Sequence, residues 1–325
     1  MSEAKVSVLV LTYNHELYIA QALESILQQQ VTFLYTVVVG VDYSTDQTRA
    51  IVEEYARQFP DRIRPIYHEQ RLGAGANLQA CLALAHAPYL AFLEGDDYWT
   101  SPDKLARQVQ WLDEHADFAI CFHFVEIIQD GAPIMPPEYI PSLPTGKSLK
   151  SLRQVYTFSD SLQQTLGQTG SMVLRNDLKE LPNWLFQTFP IDFPFVVIHA
   201  AKGKIYLMQE VMGCYRSNMS SSWRFATLEW RQTKFLSMYH QLVQHYALTE
   251  HAAMLRRALS KHYLNFADMY TRRGALPAAT ASLQQALRLR ALYRPSQLKS
   301  LLAVTARWLL LLQRECLKNF GRRAA

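Results

Sequence analysis

The chain has 325 residues, of which 49% are hydrophobic, and its formal net charge is +5. This length predicts a core domain with an addition, and the apolar share is enough for a sizeable core. The four cysteines are far apart and show no paired spacing, which argues against a disulfide framework or a cysteine zinc site and favours a reducing cytoplasm. The first apolar run, residues 6–11, is too short for a signal peptide, and no stretch reaches the length of a membrane span.

Residues 6–99 alternate between strand and helix patterns. Short apolar runs predict strands at residues 6–11, 36–41, 64–68 and 89–93. Apolar residues at helical spacing predict helices at residues 17–29, from a capping box at 44–47 to Pro60, and at 77–87. Repeated βα units of this length predict an α/β fold with a Rossmann-like, mostly parallel central sheet and right-handed crossovers.

Polar residues follow three of these strands, at the end where an open α/β sheet forms its ligand crevice. Thr-Tyr-Asn-His at residues 12–15 follows the first strand, Asp42 follows the second, and Glu-Gly-Asp-Asp-Tyr-Trp at residues 94–99 follows the fourth. Carboxylates there can coordinate a divalent ion that neutralises phosphate charge. The alternative is that the acidic residues begin a turn before a helix at residues 104–115. The coincidence at three strand ends favours a nucleotide crevice.

Other phosphate-binding motifs are missing. Residues 73–77 lie between a strand and a helix but lack the third glycine of a dinucleotide fingerprint, so they are predicted to form a tight turn. The sequence contains neither a Walker loop nor a Gly-x-Ser-x-Gly elbow.

Residues 6–16, 23–30, 42–48 and 94–99 together resemble the GT-A fold glycosyltransferases of family 2, a large inverting group that uses nucleotide-activated sugars. The likeness covers about residues 5–225. It implies a GT-A domain at residues 1–225, with a mostly parallel central sheet flanked by helices, and an all-α C-terminal extension at residues 226–325.

The resemblance implies a set of donor-binding residues. Thr12, Tyr13 and Asn14 would line the donor site together with Asp42, whose carboxylate would accept from a pyrimidine N–H and so favour a uridine nucleotide. Arg71 would contact the base or a phosphate.

The resemblance also implies that three aspartates take part in the sugar transfer. Asp96 would approach the ribose or the sugar, and Asp97 would bind Mg²⁺ or Mn²⁺ between the two phosphates of the donor. Asp192 would take the proton from the acceptor hydroxyl. Its alternative role is to cap a helix at residues 195–201, and the two roles are compatible.

Two positions depart from the family pattern. Val41 stands where relatives often carry an acidic residue, and Asn218 stands where they usually carry a histidine, at a further metal or phosphate contact. These departures leave open a catalytically inactive GT-A scaffold that acts through its helical tail. A sugar nucleotidyltransferase is a further alternative, although residues 12–15 do not provide the glycine- and lysine-rich loop that it requires.

The last part of the chain is basic and helical by pattern. From His251 onward fourteen Lys and Arg stand against two acidic residues, about +12, whereas residues 1–250 carry about −7. Residues 265–287 resemble one tetratricopeptide hairpin, which cannot form a solenoid alone. Residues 296–323 predict a basic amphipathic helix that either lies on an anionic membrane surface or packs as an ordinary helix.

The partners follow from the resemblance. We expect a nucleotide-sugar donor, a saccharide or lipid-linked acceptor recognised by loops such as residues 129–146, and a role in surface-polysaccharide synthesis. Charge alone would also allow nucleic acid, but the resemblance does not favour it. The protein is expected in the cytoplasm, on the inner face of the cytoplasmic membrane if its tail binds lipid.

Overall fold

The computed structural model describes residues 3–129, 132–133, 153–163, 166–177, 181–217, 227–289 and 302–313. The chain forms two compact units, Met1–Ala226 and Thr227–Ala325. Across these described ranges, every helix is too short or too polar to cross a bilayer.

The first unit contains a ten-stranded sheet with helices packed against it. Its strands are β1 (Val6–Thr12), β2 (Tyr35–Val41), β3 (Ile63–Tyr67), β4 (Tyr89–Glu94), β5 (Tyr98–Trp99), β6 (Phe118–Gln129), β7 (Ala132–Pro133), β8 (Val155–Tyr156), β9 (Val173–Arg175) and β10 (Lys204–Arg216). Its helices are α1 (Ile19–Leu27), α2 (Thr48–Gln58), α3 (Ala74–Ala83), α4 (Lys104–Glu114), α5 (Phe158–Ser161) and α6 (Asp192–Ala200).

The strand order is β3-β2-β1-β4-β9-β6-β10-β5, with β7 paired to β6 and β8 paired to β10. The first four strands are parallel to one another, as are β6 and β10, while β9 runs antiparallel to both β4 and β6. The mostly parallel α/β sheet predicted from the sequence is therefore confirmed.

The topology places a ligand crevice between β1 and β4. The chain runs outward from β1 through β2 to β3 and returns to β4 on the other side of β1. Leu11 is paired with Gly40 on one side and with Glu94 on the other, so the carboxyl ends of three strands lie side by side. Such a switch point is where open α/β sheets bind ligands.

The core explains why these segments form these elements. The valine-rich strands β1 and β2 are almost completely buried, and α1 and α4 turn their apolar stripes towards them. Each fully buried aliphatic side chain contributes about 1.5–3 kcal/mol, so the interior of this sheet fixes the frame of the crevice.

The segment predicted as a tight turn begins α3. Gly73 has a φ of +83°, which favours glycine, and α3 starts at Ala74 rather than at the predicted Asn77. A Cβ on Gly75 would lie 1.9 Å from the carbonyl oxygen of Phe186, so only glycine lets α3 pack this closely on the 3₁₀ helix Asn183–Gln187.

The capping box predicted before α2 is wrong. Gln47 is the N-cap residue and its side chain makes no capping hydrogen bond, while Ser44 Oγ accepts from the N–H of Asn14 and not from α2. The Asp46 carboxylate is shared between the start of α2 and the loop after β1. It accepts from the backbone N–H groups of Thr48 (2.9 Å) and Glu16 (3.0 Å), while Glu16 accepts from the N–H of Gln47 (2.9 Å). These bonds join the loops that follow β1 and β2.

The second unit is helical, as predicted. It contains α7 (Leu228–His245), α8 (Ala252–Arg272), α9 (Leu276–Arg288) and a further helix, α10, at residues 302–313. Gly274, with a φ of +74°, lies in the turn between α8 and α9. One buried cluster of this unit comprises Leu264, Ala267, Leu283, Ala286 and Val304.

Candidate active site

A loop that precedes α3 meets the ends of β1 and β2. The guanidinium of Arg71 lies 4.2 Å from the ring centroid of Tyr13. The Asp42 carboxylate accepts from the backbone N–H groups of Leu72 (2.7 Å) and Gly73 (2.9 Å), and Asp42 is only 4% exposed. The structure therefore brings together Tyr13, Asp42 and Arg71, which the sequence analysis assigned to one site.

Asp42 thus has a structural task that the sequence did not reveal. Each of its carboxylate oxygens accepts one backbone N–H from the loop that carries Arg71, which fixes that loop against β2. Since a carboxylate offers about four lone-pair positions, capacity remains for a further donor. Its predicted contact with a base stays a prediction.

Asn14 connects two loops of the crevice. Its φ of +53° lies in the left-handed region that asparagine tolerates. Its backbone N–H donates to Ser44 Oγ (3.0 Å), and its side-chain Oδ1 accepts from the N–H of Thr45 (2.8 Å). Asn14 therefore joins the loop after β1 to the loop after β2.

The acidic loop after β4 is held by β10. Asp97 is 2% exposed, and its Oδ1 accepts from the backbone N–H of Arg216 (2.7 Å). The Arg216 guanidinium donates to the Asp96 carbonyl and to Gln21, and it lies 4.6 Å from the ring centroid of Tyr98. The sequence analysis gave Arg216 no role, so its part in fixing both aspartates was missed.

Glu94, which received no role from the sequence, shares this loop. Its Oε2 is buried and has no hydrogen-bond partner among the described residues. A Cβ placed on Gly170 would lie 3.6 Å from that oxygen and 3.8 Å from Asp97 Oδ2, so both carboxylates face the same small residue. In the sequence, only the position of Glu94 at the end of β4 indicated that its carboxyl group lies beside that of Asp97.

The acidic residues raise one another's pKa. Burial, followed by the charge of Asp96, raises the pKa of Glu94 to about 7. Burial also raises the pKa of Asp97 well above its usual range, as do the charges of Glu94 and Asp96. Burial raises the pKa of Tyr215 to about 12, with contributions from Asp97, Glu94, Asp96 and Asp192. All four carboxyl groups therefore lie near enough to Tyr215 to contribute to its raised pKa.

Asp192 is the first residue of α6. Burial raises the pKa of its carboxyl, and a bond from the backbone N–H of Phe193 opposes the rise. The residue lines a small cavity of about 20 Å³ together with Thr169. The charge of Asp192 contributes to the raised pKa of Glu94, so the two carboxyl groups influence each other although almost one hundred residues separate them in sequence.

His15 connects the end of β1 with the acidic loop. Its Nδ1 lies 3.3 Å from Oγ1 of Thr12, which is 2% exposed, and its Nε2 lies 3.9 Å from Asp96 Oδ2. The sequence analysis quoted His15 in the first motif without giving it a role.

The oxygen atoms of the acidic loop fit a hard divalent cation. Glu94 and Asp97 supply carboxylates, and the unpartnered Oε2 is an oxygen in need of a donor or a cation. Within the described ranges, no group of three or more His, Cys, Asp or Glu side chains is arranged to enclose a metal. The protein can therefore offer part of a coordination shell, which Mg²⁺ commonly completes with substrate phosphates and water. Asn218 lies outside the described residues.

The sequence of this chain matches a known protein family and several relatives. The model of the family described as "Glycosyl transferase family 2" matches residues 7–177. The Uncharacterized protein Rv1520 of Mycobacterium tuberculosis (strain ATCC 25618 / H37Rv) is 35% identical over 229 residues, 70% of this chain and 62% of that protein. The chain therefore spans less than two thirds of that relative. The Putative teichuronic acid biosynthesis glycosyltransferase TuaG of Bacillus subtilis (strain 168) is 26% identical, covering 76% of this chain and 94% of TuaG.

Solved structures with the same fold hold nucleotide sugars. S. aureus TarS 1–349 in complex with UDP-GlcNAc aligns with a TM-score of 0.61 at 19% identity, covering 94% of this chain and 89% of that one. The mannosyltransferase PcManGT from Pyrobaculum calidifontis, in complex with GDP-Man and Mn²⁺, aligns with a TM-score of 0.54 at 18% identity, covering 95% and 87%. At these identities the likeness establishes the GT-A fold.

Proposed function

This chain belongs to glycosyl transferase family 2, and from that premise we propose that it moves a sugar from a UDP-sugar to a hydroxyl group of a saccharide or lipid-linked acceptor, with inversion at the anomeric carbon. The setting we propose is surface-polysaccharide synthesis, which is supported by the likeness to TuaG, a putative teichuronic acid biosynthesis glycosyltransferase. The observation that carries the proposal is the pair of buried carboxyl groups at the end of β4, Glu94 and Asp97, which both face Gly170 beside the switch point between β1 and β4.

The donor's nucleotide would bind where Tyr13, Asp42 and Arg71 meet. An aromatic ring and a planar guanidinium 4.2 Å apart can stack on a base and attract phosphate charge. Asp42 can accept from the N–H of uracil, which supports a uridine nucleotide. The UDP-GlcNAc complex of TarS supports the same choice, whereas PcManGT holds GDP-Man, so the base is a point for experiment.

Asp97, with Glu94 and Asp96 beside it, would hold Mg²⁺ or Mn²⁺. When bound, the ion would neutralise charge on the departing nucleoside diphosphate. The main-chain bond from Arg216 keeps one Asp97 oxygen directed into β10, which leaves Oδ2 facing Gly170 and Glu94. The Mn²⁺ in PcManGT supports this assignment.

Asp192 would be the general base. Its raised pKa makes the ionised carboxylate a better proton acceptor than an exposed aspartate. As the acceptor oxygen bonds to the anomeric carbon, the hydroxyl proton would pass to Asp192 and the bond from that carbon to the diphosphate oxygen would break.

The inactive-scaffold alternative draws on the two departures. Val41 is 2% exposed and packs in the interior of the sheet, away from the crevice, whereas its neighbour Asp42 lies at the crevice. The loss of an acid at position 41 therefore leaves the proposed base and metal residues in place. Asn218 lies outside the described residues, so the experiment below decides between an active enzyme and an inactive scaffold.

We further propose that the protein acts in the cytoplasm and that its tail lies on the inner, anionic face of the membrane. Only residues 302–313 of the predicted amphipathic segment 296–323 are described. There Leu302, Leu309 and Leu310 are 62%, 52% and 59% exposed, which supports an apolar surface for lipid.

Donor hydrolysis tests the function directly. Purified protein is incubated with a panel of nucleotide sugars and with Mn²⁺ or Mg²⁺, and nucleoside diphosphate release is measured. We expect UDP from one donor, none with chelator or in Asp97→Ala, and donor binding without turnover in Asp192→Asn.

The control is Asp61→Ala, which removes an exposed aspartate outside the site. Binding of UDP without turnover of any donor, with and without candidate acceptors, would favour the scaffold, and absence of nucleotide binding would contradict the proposal.

A further inference from the structure

The small cavity beside Asp192 can receive part of a ligand. Its volume is about 20 Å³, which exceeds the roughly 10–15 Å³ that one water molecule requires. Asp192 and Val196 of α6 line one side of it, and the other sides come from α5, β6 and the segment at residues 166–172. The space is therefore large enough for a small substituent.

The floor of this cavity is mostly apolar. Phe122 and Met172 are each 1% exposed, and Leu166 is 5% exposed. Ser161 is a buried polar residue in the lining, but its hydroxyl already donates to the carbonyl oxygen of Phe158 (2.8 Å). Because most of the wall is apolar, a methyl group gains more from filling this space than a hydroxyl group does.

The mouth of the cavity is formed by residues that are only partly buried. Asp192, Val196 and Thr169 all have this intermediate exposure, in contrast to the floor. Two of the three, Asp192 and Thr169, are polar. An apolar group can therefore enter from a polar surface, where the rest of a sugar remains hydrated or hydrogen-bonded.

Packing holds the walls in place before any ligand binds. A Cβ on Gly167 would lie 2.5 Å from Phe122 Cδ1, so the absence of a side chain lets this segment pack directly on the floor. The rings of Phe92 in β4 and Phe195 in α6 meet edge to face, with centroids 5.3 Å apart. This contact fixes α6 against the sheet, so the cavity is preformed.

The cavity lies where the transferred sugar would be placed. Thr169 precedes Gly170, which faces the Asp97 carboxylate that we assign to the diphosphate end of the donor. On the opposite side lies Asp192, the proposed base. A base lies about 2.6–3.2 Å from the hydroxyl oxygen that it deprotonates, and that oxygen lies about 3–3.5 Å from the anomeric carbon. Substituents of the sugar ring are therefore within reach of the cavity.

We propose that this cavity receives a methyl group of the transferred sugar, so that the enzyme selects donors whose sugar carries an acetamido group or an exocyclic methyl group. The inference rests on the proposed function, since it takes Asp97 and Asp192 as the two ends of the sugar site. Val196 is then a specificity-determining residue, because its side chain forms an apolar wall of the cavity.

Paired donors measure the selection. The acetamido group is tested with UDP-GlcNAc against UDP-glucose and with UDP-GalNAc against UDP-galactose, and the exocyclic methyl group with UDP-6-deoxyglucose against UDP-glucose. We expect kcat/KM for donor hydrolysis to be at least about ten-fold higher for one methyl-bearing donor than for its hydroxyl counterpart. The pair that shows the difference identifies the source of the methyl group.

Val196→Phe fills the cavity from its mouth. The preference for the methyl-bearing donor should fall to within about two-fold of unity, while kcat/KM for the hydroxyl counterpart changes little. An unfolded or damaged enzyme would lose both activities together. If Val196→Phe does not fold, as judged by thermal melting, Val196→Ala provides the second variant, and its enlarged cavity should reduce the preference about three-fold.

The control is Val211→Phe, which enlarges a valine of β10 that is 38% exposed and does not line the cavity. It should keep the preference of wild type. Equal kcat/KM values for every donor pair overturn the inference and leave the transferase in place. A preference that persists in both Val196 variants also overturns it, because the methyl group then binds elsewhere.

Donor binding separates this inference from the proposed function. Where donors bind without hydrolysis, dissociation constants measured by calorimetry replace kcat/KM, and the same ratios between paired donors apply. Absence of binding for every donor contradicts the proposed function and this inference with it. Binding without any distinction between paired donors contradicts this inference alone.

Discussion

Burial changes the chemistry of individual carboxyl groups in the acidic loop. The pKa of Glu94 is 4.5 in an ordinary environment and about 7 here, because burial and the charge of Asp96 disfavour the ionised form. Between these two values the folded protein keeps a proton that the unfolded chain has lost. The stability that Glu94 contributes is therefore complete below pH 4.5 and is lost as pH rises to about 7.

Glu94→Gln should make the metal-free protein more stable at pH 8 than wild type. A shift from 4.5 to about 7 corresponds to roughly 3 kcal/mol, and an amide of the same shape avoids this cost. The free energy of unfolding is measured by denaturant titration at pH 5 and pH 8 with chelator present. The advantage of the variant should be large at pH 8 and small at pH 5.

Glu69→Gln is the matched control, because the Glu69 side chain is 85% exposed. It should leave unfolding unchanged at both pH values. An equal effect of Glu94→Gln at pH 5 and pH 8 would show that the burial of Glu94 does not raise its pKa.

Residue type and position predicted which side chains gather at the crevice, but not what they bind to. Asp42 was placed at the crevice because it follows a strand, and the family resemblance assigned Asp42 and Arg71 to one site. The bonds from Asp42 to Leu72 and Gly73 span about thirty residues and leave no local pattern. The same holds for the bond between Asp97 and the backbone of Arg216, which lies 119 residues away.

Among the helices, α4 has an unusual inward-facing residue at its start. Lys104 is 0% exposed, and its Nζ lies 3.8 Å from the ring centroid of Trp99 without a hydrogen-bond partner in the described part of the chain. Burial lowers the pKa of Lys104 far below its usual range. A position over an indole ring favours a cation. Burial of an ammonium without an oxygen partner costs more free energy than this contact contributes, so the amine is neutral.

Lys104→Met should stabilise the protein at pH 7 by about 1–3 kcal/mol, since it keeps the length of the side chain and removes a buried polar group. In wild type the unfolded chain binds a proton that the folded protein lacks, up to pH 10.5, so the stability of wild type rises with pH. The difference between variant and wild type should therefore shrink between pH 7 and pH 9 in denaturant titrations.

Lys202→Met, at an exposed lysine, is the control and should change little. A loss of stability in Lys104→Met at pH 7 would mean that Lys104 is charged and that its contact with Trp99 stabilises α4. Lys104→Arg, which is charged at every accessible pH, should destabilise the protein in either case.

The strength of the local pattern decided which elements were predictable. The four parallel strands predicted in residues 6–99 all form, and β1, β2 and β4 have the clearest patterns because they are largely apolar and buried. β9 was not predicted, since its three residues are too few for a periodic pattern, yet it lies between β4 and β6 and joins the two halves of the sheet. The start of α2 was mispredicted because Ser44 accepts from the N–H of Asn14 in the loop after β1, and the helix begins only at Thr48.

Charge distinguishes the C-terminal part of the molecule from the rest. Fourteen Lys and Arg against two acidic residues from His251 onward give the C-terminal part a strong positive charge, whereas residues 1–250 are acidic overall. Every site residue discussed above lies within Met1–Ala226. The proposed catalysis and the proposed membrane contact can therefore be tested with separate substitutions.

Substitution of Leu302, Leu309 and Leu310 by glutamine should abolish binding to anionic vesicles and leave donor hydrolysis unchanged. All three side chains are more than half exposed, so the change removes apolar surface without opening the core around Val304. Wild type should co-float with vesicles that contain an anionic phospholipid and bind neutral vesicles far less. It should detach as salt rises, because each basic residue near the surface contributes about 1 kcal/mol of attraction that salt screens.

The control is Leu17→Gln, which changes a leucine that is 79% exposed in the first unit. If the triple variant floats as well as wild type, α10 is not the membrane contact, and if wild type does not float, the basic tail serves another partner.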